Sequence, residues 1–162
     1  MIKRIGIISD THDNVEKIDK AITYFNQMEM DLVIHAGDII SPFVAGKFNS
    51  LKMDFLAIYG NNDGDKMGLR NVLKYKIFEE PHIFKISGIK FIITHREKMV
   101  EAILKSKDYD VIIYGHTHKP DIRIDSETIV INPGEACGYI SGKSTIAVLN
   151  LEKREAEIVE VK

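Results

Sequence analysis

Short apolar runs that alternate with helix-like segments are the feature that most constrains the fold of this chain. Residues 5–9, 32–35 and 55–59 are predicted strands, because each run is short and rich in β-branched or aromatic side chains. Between them, residues 15–25 place apolar side chains at helical spacing, and residues 42–48 begin with a proline suited to the first turn of a helix. Short buried strands that alternate with helices predict parallel βαβ units.

The second half of the chain is predicted to consist mainly of strands. Residues 83–86 and 90–94 flank a serine-glycine turn and predict a hairpin. A helix is predicted at 100–104 and a buried strand at 111–114. Four further strand-like runs follow with no helix between them, at 122–125, 129–132, 145–149 and 156–161. We therefore predict one α/β domain over residues 1–162, with two stacked mixed β-sheets flanked by helices in an αββα sandwich.

Composition excludes several classes of protein. The 22 basic and 24 acidic residues give a net charge of −2, which argues against a basic nucleic-acid-binding surface across a whole face. The single cysteine, Cys137, excludes an internal disulfide framework and any metal site with several cysteine ligands. The longest apolar runs are about five residues, against the roughly 18 of a membrane helix, and the amino-terminal run is too short for a signal peptide. A cytoplasmic protein without membrane contact is expected.

Polar side chains follow five of the predicted strands. The five segments are Asp10-Thr11-His12, Gly37-Asp38, Gly60-Asn61-Asn62-Asp63, Thr94-His95 and Gly115-His116-Thr117-His118. Ligands of open α/β sheets bind outside the carboxyl ends of the strands, so aspartate, asparagine and histidine side chains gathered there predict a metal site. Taken singly, the segments also have structural explanations, because Asp10 can cap the next helix and residues 60–64 can form a tight turn. The occurrence of all five in one short chain favours the metal site.

The order D-x-H, G-D, G-N-x-D, an isolated histidine and G-H-x-H resembles the calcineurin-like metallophosphoesterase superfamily. The short length and the Asn132-Pro133-Gly134 segment are most similar to its small archaeal and bacterial phosphodiesterase branch. The resemblance implies two divalent cations, one held by Asp10, His12, Asp38 and His118 and the other by Asp38, Asn61, His95 and His116. A shared carboxylate such as Asp38 can hold two cations about 3.5–4 Å apart. Manganese is the expected metal, with nickel, iron, cobalt or zinc as alternatives.

The activity implied by the resemblance is that of a metal-dependent phosphoric ester hydrolase, most similar to a phosphodiesterase. A hydroxide that bridges the two metals is expected to attack phosphorus in line. The cations, the carboxylates of Asp10 and Asp38 and one hydroxide sum to about +1, a charge that attracts a small phosphodiester. The alternatives are a non-catalytic, protein-binding scaffold and a nuclease, both of the same superfamily. The sequence leaves the oligomeric state open, a homo-oligomer included.

Two departures from the family pattern bear on the substrate. The isolated histidine is usually followed by glycine and a second histidine, whereas this chain has Thr94-His95-Arg96-Glu97. Arg96 is expected either to bind a substrate phosphate or to pair with Glu97 or another surface carboxylate. The residue before the aspartate of G-N-x-D is often histidine, whereas Asn62 can donate a hydrogen bond but not a proton, which favours diesters over monoesters. Asp63 is expected to orient a metal ligand or its histidine partner.

Two further groups are interpreted as structural. His35 lies inside an apolar strand, where a hydrogen-bonded core histidine is expected. Cys137 has no base arranged beside it in the sequence pattern and is interpreted as a small packed residue rather than a nucleophile. Neither is assigned a catalytic role.

Overall fold

The structure, a computed structural model, describes residues 2–162 and contains two β-sheets packed face to face. In chain order the elements are β1 (Arg4–Ile8), α1 (Val15–Gln27), β2 (Leu32–His35), α2 (Pro42–Ala45), a 3-10 helix (Gly46–Ser50), β3 (Asp54–Ile58), α3 (Lys66–Val72), β4 (Ile77–Phe78), β5 (His82–Ile86), β6 (Ile89–Ile93), a second 3-10 helix (Glu97–Met99), α4 (Val100–Ser106), β7 (Val111–Ile113), β8 (Pro120–Asp125), β9 (Thr128–Pro133), β10 (Thr145–Asn150) and β11 (Glu155–Glu160).

Both sheets are mixed. The first has the strand order β11-β10-β1-β2-β3-β4, in which β1 to β4 are parallel and the β10–β11 hairpin pairs antiparallel with β1. The second has the order β5-β6-β7-β9-β8, with β6, β7 and β9 parallel and the two outer strands antiparallel. The predicted sandwich of two stacked mixed sheets is confirmed.

The core is divided into layers by the alternation of side chains along each strand. In β2, Leu32 and Ile34 pack between the two sheets, whereas Val33 packs beneath the helices of the first sheet. In β6, Phe91 packs between the sheets and Ile92 packs beneath α4. Because both faces of these strands are covered, residues 32–34 and 91–93 are continuous apolar runs rather than alternating ones.

Helix α1 covers the outer face of the first sheet. Its buried stripe consists of Ile18, Ala21, Ile22 and Phe25, at the spacing of one helical face. The side chain of Asn14 caps its amino terminus by accepting a hydrogen bond from Lys17 N at 3.3 Å. Asp10 is therefore not the cap of this helix, and its carboxylate is available for another role.

One α-helix and one strand were not predicted from the sequence, and neither was the short 3-10 helix Glu97–Met99. Helix α3 is seven residues long, contains Gly68 and has only Leu69 fully buried, so its apolar period is weak. Strand β4 has two residues, too few to produce a pattern. The helix predicted from residue 42 is divided, because α2 ends at Ala45 and a 3-10 helix continues the chain. Within residues 2–162, none of the helices is long and apolar enough to cross a membrane.

Candidate metal centre

Backbone hydrogen bonds join the loops that follow β1 and β2. Asp10 N donates to Gly37 O at 3.0 Å, and His12 N donates to Asp38 O at 3.2 Å. The carboxyl end of β7 lies beside them, since Asp10 Oδ2 accepts a hydrogen bond from His116 N at 3.0 Å. Loops from both sheets therefore meet at one edge of the sandwich, as the strand-end pattern predicted.

Many of the predicted metal ligands have a left-handed backbone conformation. Five of the seven have φ between 40° and 68°: Asp10, His12, Asp38, His116 and His118. Residues other than glycine adopt this conformation rarely and at a cost in free energy. Such conformations concentrate at functional sites, where the surrounding contacts maintain them.

Two glycines allow the loops to approach one another. Gly37 has φ +99°, and a Cβ atom there would lie 2.5 Å from Nδ1 of His95. A Cβ atom on Gly60 would collide with the carboxylate of Asp38. These positions require glycine because the side chains of Asp38 and His95 occupy the space that a side chain would need.

The two central carboxylates are buried and held in fixed orientations. Asp10 Oδ2 accepts hydrogen bonds from Ser9 Oγ at 2.6 Å and from His116 N, which leaves Oδ1 facing the site. Asp38 Oδ1 and Oδ2 accept hydrogen bonds from N and Nδ2 of Asn62, both at 2.8 Å. Although burial opposes ionisation, the imidazole of His95 and these hydrogen bonds hold the pKa of Asp38 well below its usual range.

His95 presents one defined ring nitrogen to the site. Its Nδ1 lies 2.7 Å from Ala36 O, and because a carbonyl oxygen can only accept, Nδ1 carries the proton. Its Nε2 faces Asp38 Oδ2 at 3.3 Å. Burial alone would lower the pKa of His95, but Asp38 raises it to about 9. The same negative charge that attracts a proton there would attract a cation.

His12 and His118 approach the carboxylates from the other side. The Nε2 atom of His12 lies 3.7 Å from Asp10 Oδ1 and 3.5 Å from Asp38 Oδ2. The Nε2 atom of His118 lies 3.5 Å from Asp10 Oδ1, and the two imidazole rings stack with centroids 5.1 Å apart. Asp10 Oδ1 therefore lies between two imidazole nitrogens without a hydrogen bond to either.

Unpaired buried atoms test whether a cation fits this arrangement. Within residues 2–162, the buried side-chain nitrogen and oxygen atoms that lack a hydrogen-bond partner are Asp10 Oδ1, His12 Nε2, His95 Nε2 and Glu97 Oε2. Leaving such atoms unpaired costs free energy, so native proteins almost always satisfy them. Ligand atoms of Asp10, His12 and His118 lie within 4.8 Å of one another, as do those of Asp10, Asp38 and His95. These residues fit divalent cations.

The two remaining predicted ligands lie at the rim of these groups. The ring centroid of His116 is 5.2 Å from that of His95, and its side chain is 37% exposed. Asn61 is exposed in the turn after β3. The structure thus gathers five of the seven predicted ligands tightly and places two at the edge.

Asp63 lies beneath Asp38, where it binds the backbone. Its carboxylate accepts hydrogen bonds from Asp38 N at 2.9 Å, Gly60 N at 2.7 Å and Ile40 N at 2.7 Å. Burial raises the pKa of Asp63 even though these hydrogen bonds oppose the shift. Its position is that expected of a residue that orients a ligand.

Glu135 was missed by the sequence analysis. It is fully buried, its Oε2 lies 2.9 Å from His118 Nδ1, and its carboxylate also accepts a hydrogen bond from Ile140 N. Burial opposes ionisation, but hydrogen bonds from Ser141 and His118 lower the pKa of Glu135 to about 2. A carboxylate bound to the outer nitrogen of a ligand histidine fixes the orientation of the ring. The only signal in the sequence was the position of Glu135 directly after the Asn132-Pro133-Gly134 segment.

Cys137 is a packed thiol. Its side chain is buried, and its Sγ lies 3.3 Å from Glu135 Oε2, to which the thiol donates. Burial raises the pKa of the Cys137 thiol to about 12, so it carries its proton at neutral pH. The burial of Cys137 confirms its interpretation as a small packed residue.

Arg96 pairs with a carboxylate other than Glu97. Its Nη1 donates to Glu80 Oε1 at 2.8 Å, and its side chain is 51% exposed. Glu80 also accepts hydrogen bonds from Thr94 Oγ1 and His95 N. Of the two alternatives considered for Arg96, the structure contains the surface ion pair, which leaves the other guanidinium nitrogens available to a bound molecule.

His35 is the hydrogen-bonded core histidine that was predicted. Its Nδ1 accepts from Gly37 N at 3.1 Å, so its Nε2 carries the proton and donates to Thr11 Oγ1 at 3.1 Å. The residue is completely buried, and burial lowers the pKa of His35 to about 3. The neutral ring supports the backbone between the two loops that carry Asp10 and Asp38.

This low pKa predicts a loss of stability in acid. The pKa of an unfolded histidine is about 6.5, so the unfolded chain binds a proton that the folded chain excludes between about pH 6.5 and pH 3. The contribution of His35 is complete above pH 6.5 and is lost as the pH falls, by about 2 kcal/mol between pH 7 and pH 5. Urea unfolding at both values should give a larger difference for the wild type than for His35→Gln. Equal differences would contradict the prediction.

The family of the chain follows from comparison with known proteins. Residues 4–154 match the model of the calcineurin-like phosphoesterase superfamily domain. The chain belongs to the calcineurin-like phosphoesterase superfamily. The predicted enzyme class, a metal-dependent phosphoric ester hydrolase, is the class that this family defines.

Individual relatives agree with this assignment. The chain is 44% identical over 158 residues to the phosphodiesterase MJ0936 of Methanocaldococcus jannaschii. The aligned region covers 94% of this chain and 95% of the relative. The solved structure of an archaeal phosphodiesterase superimposes with a TM-score of 0.91 at 42% identity, over 97% of this chain and 99% of that one. Vps29 of Entamoeba histolytica, solved with zinc, gives a TM-score of 0.73 at 16% identity over 98% and 99% of the two chains, a likeness of fold alone.

Proposed function

We propose that this chain is a phosphodiesterase that uses two divalent cations, with manganese as the physiological metal. The observation that carries the proposal is the meeting of Asp10 Oδ1, His12 Nε2 and His95 Nε2, which are buried and unpaired at the carboxyl ends of strands from both sheets. The 44% identical relative is named a phosphodiesterase, which supports the same reaction here.

The proposed ligand sets share Asp38. One cation would be held by Asp10, His12, Asp38 and His118, and the other by Asp38, Asn61, His95 and His116. The sharing is supported by Asp38 Oδ2, which lies 3.5 Å from Nε2 of His12 and 3.3 Å from Nε2 of His95, two histidines assigned to different cations. When bound, the cations would supply Lewis-acid stabilisation of the phosphoryl oxygens and activate water.

The residues behind the ligands determine their orientation. Asn62 holds both oxygens of Asp38, and Asp63 holds the backbone that carries Asp38. Glu135 holds the ring of His118, and the carbonyl of Ala36 holds that of His95. Because these partners fix the ligands before any substrate binds, little reorganisation is required when a phosphate arrives.

We also propose that the substrate is a small phosphodiester and that the protein acts in the cytoplasm. The net charge of −2 offers no extended basic surface for nucleic acid, so attraction for the phosphate would come from the metal centre itself. The lone cysteine, Cys137, is a buried free thiol, which is compatible with a reducing compartment.

Metal analysis of the purified protein, together with a manganese-dependent assay on bis-p-nitrophenyl phosphate, tests the proposal. The expected result is two equivalents of bound metal and turnover that a chelator abolishes and manganese restores. Bound metal without turnover of any phosphodiester would favour the protein-binding scaffold. Turnover confined to polynucleotides would favour the nuclease.

Arg96 provides a test of substrate binding. Arg96 directly follows His95, and its half-exposed guanidinium donates to Glu80 Oε1 at 2.8 Å. We expect Arg96→Ala to raise KM several-fold without loss of metal, because a charge-assisted hydrogen bond to the phosphate would be removed. Lys98→Ala, at an exposed position on the same segment, is the control and should leave KM unchanged. Unchanged kinetics in Arg96→Ala would show that Arg96 forms the ion pair with Glu80 and does not bind the substrate.

A further inference from the structure

Glu97 holds the fourth of the buried, unpaired side-chain atoms. Its Oε2 is buried and has no hydrogen-bond partner within residues 2–162, although the side chain as a whole is 41% exposed. The oxygen faces His116 Nε2 at a distance of 3.9 Å, which is too long for a hydrogen bond. The other three atoms with this property belong to Asp10, His12 and His95, all predicted metal ligands.

The distance between Glu97 and His116 suits two ligands of one cation. Atoms that bind the same divalent ion at about 2.1 Å lie about 3.0 to 4.2 Å apart, from the cis to the trans arrangement. The 3.9 Å separation between Glu97 Oε2 and His116 Nε2 falls within this range. The segment that carries Glu97 is also anchored, because Glu80 accepts a hydrogen bond from Arg96 N at 3.3 Å.

We propose that Glu97 is an additional ligand of the cation assigned to His95 and His116. It stands two residues after His95, where the pattern of the superfamily usually has a second histidine. A carboxylate there adds a negative charge to a cation that would otherwise be held by Asp38, two imidazoles and the amide of Asn61. The partly exposed side chains of Glu97 and His116 place this contact on the open side of the site.

The added charge selects among phosphate esters, and this consequence rests on the proposed function. Two divalent cations with Asp10, Asp38 and one hydroxide sum to about +1, and Glu97 would reduce the sum to about zero. A phosphodiester carries one negative charge, whereas a monoester carries nearly two at neutral pH. Glu97 therefore weakens the binding of monoesters more than that of diesters, which also speeds release of the monoester product.

Calorimetric titration of the metal-free protein with manganese tests the metal contact without reference to activity. Loss of a carboxylate that only orients a ligand already costs about 10- to 100-fold in metal affinity. We therefore expect Glu97→Gln to weaken one of the two equivalents by at least about tenfold. Glu101→Gln makes the same change at an exposed residue four positions further along and should bind both equivalents like the wild type.

Two further measurements sharpen the result. Glu97→His restores a ligand without the charge, so it should retain the second equivalent and raise the monoester-to-diester ratio of rates. The absorption spectrum of the cobalt-loaded protein should differ between the wild type and Glu97→Gln, since the coordination of one ion changes. Wild-type manganese affinity in Glu97→Gln would overturn the proposal. Failure of the wild type to cleave diesters would overturn the proposed function. The manganese titration would still decide whether Glu97 is a metal ligand.

Discussion

Asp38→Ala is expected to abolish phosphodiesterase activity and to remove both metal equivalents together. Asp38 Oδ2 lies within 3.5 Å of His12 Nε2 and His95 Nε2, so this one carboxylate would serve both proposed ligand sets. Its removal would take away the negative charge between the two proposed cations and would leave the donors of Asn62 unpaired. Metal content by elemental analysis after dialysis, measured beside the rate on bis-p-nitrophenyl phosphate, is the test.

Asp108→Ala is the matched control for this prediction. Asp108 is exposed in the loop after α4, and its loss should change neither metal content nor rate. Asp38→Asn separates charge from shape, because an amide fills the same space without the negative charge. Two equivalents of metal bound to Asp38→Ala at wild-type affinity would show that Asp38 does not bridge.

The second large effect is expected at Asn62. We expect clear turnover of bis-p-nitrophenyl phosphate and little of p-nitrophenyl phosphate, because Asn62 stands where an imidazole could otherwise give a proton to the leaving group. An activated diester needs that help least. Asn62→His should raise the monoester rate selectively, within the range of about 10²–10⁴-fold that general acid catalysis contributes.

The structure adds a control to this experiment. Asn62 Nδ2 donates to Asp38 Oδ2 at 2.8 Å, a contact that Asn62→His would disturb. Asn62→Ala removes the same contact without supplying a proton donor, so the difference between the two variants isolates the imidazole. Equal wild-type rates on the diester and the monoester, or equal monoester rates in Asn62→His and Asn62→Ala, would contradict this explanation of specificity.

The fold was predictable because its central strands are buried on both faces. Runs such as residues 32–34 are apolar throughout, and their β-branched side chains distinguish them from helices. Helix α3 was missed because its cap, Asp65, directly follows residues 60–64. The glycine and asparagine residues of that segment predict a turn rather than the start of a helix. Strand β4 is formed by tertiary pairing with β3 and has no local signal.

The site was predictable as far as its ligands follow strands in the sequence. Asp10 and His95 come two residues after the ends of β1 and β6, and Asp38 comes three residues after the end of β2, so the fold itself brings them together. Glu135 also comes two residues after a strand, β9, but its role depends on its contact with His118 in the loop after β7, which the sequence pattern does not show. The partner of Arg96 was missed for the same reason, since Glu80 lies 16 residues earlier in the chain.

The proposed cations would have ligands from both sheets and would therefore cross-link the two layers of the sandwich. Asp10, His12 and Asp38 extend from the first sheet, whereas His95 and His118 extend from the second. Metal at about 100 times its dissociation constant adds about 2.7 kcal/mol to the folded state. That energy would act at one edge of the apolar layer between the sheets. Metal binding would therefore slow the separation of the two sheets. Slower amide hydrogen exchange in β1 and β7 would then report the occupancy of the metal sites without an activity assay.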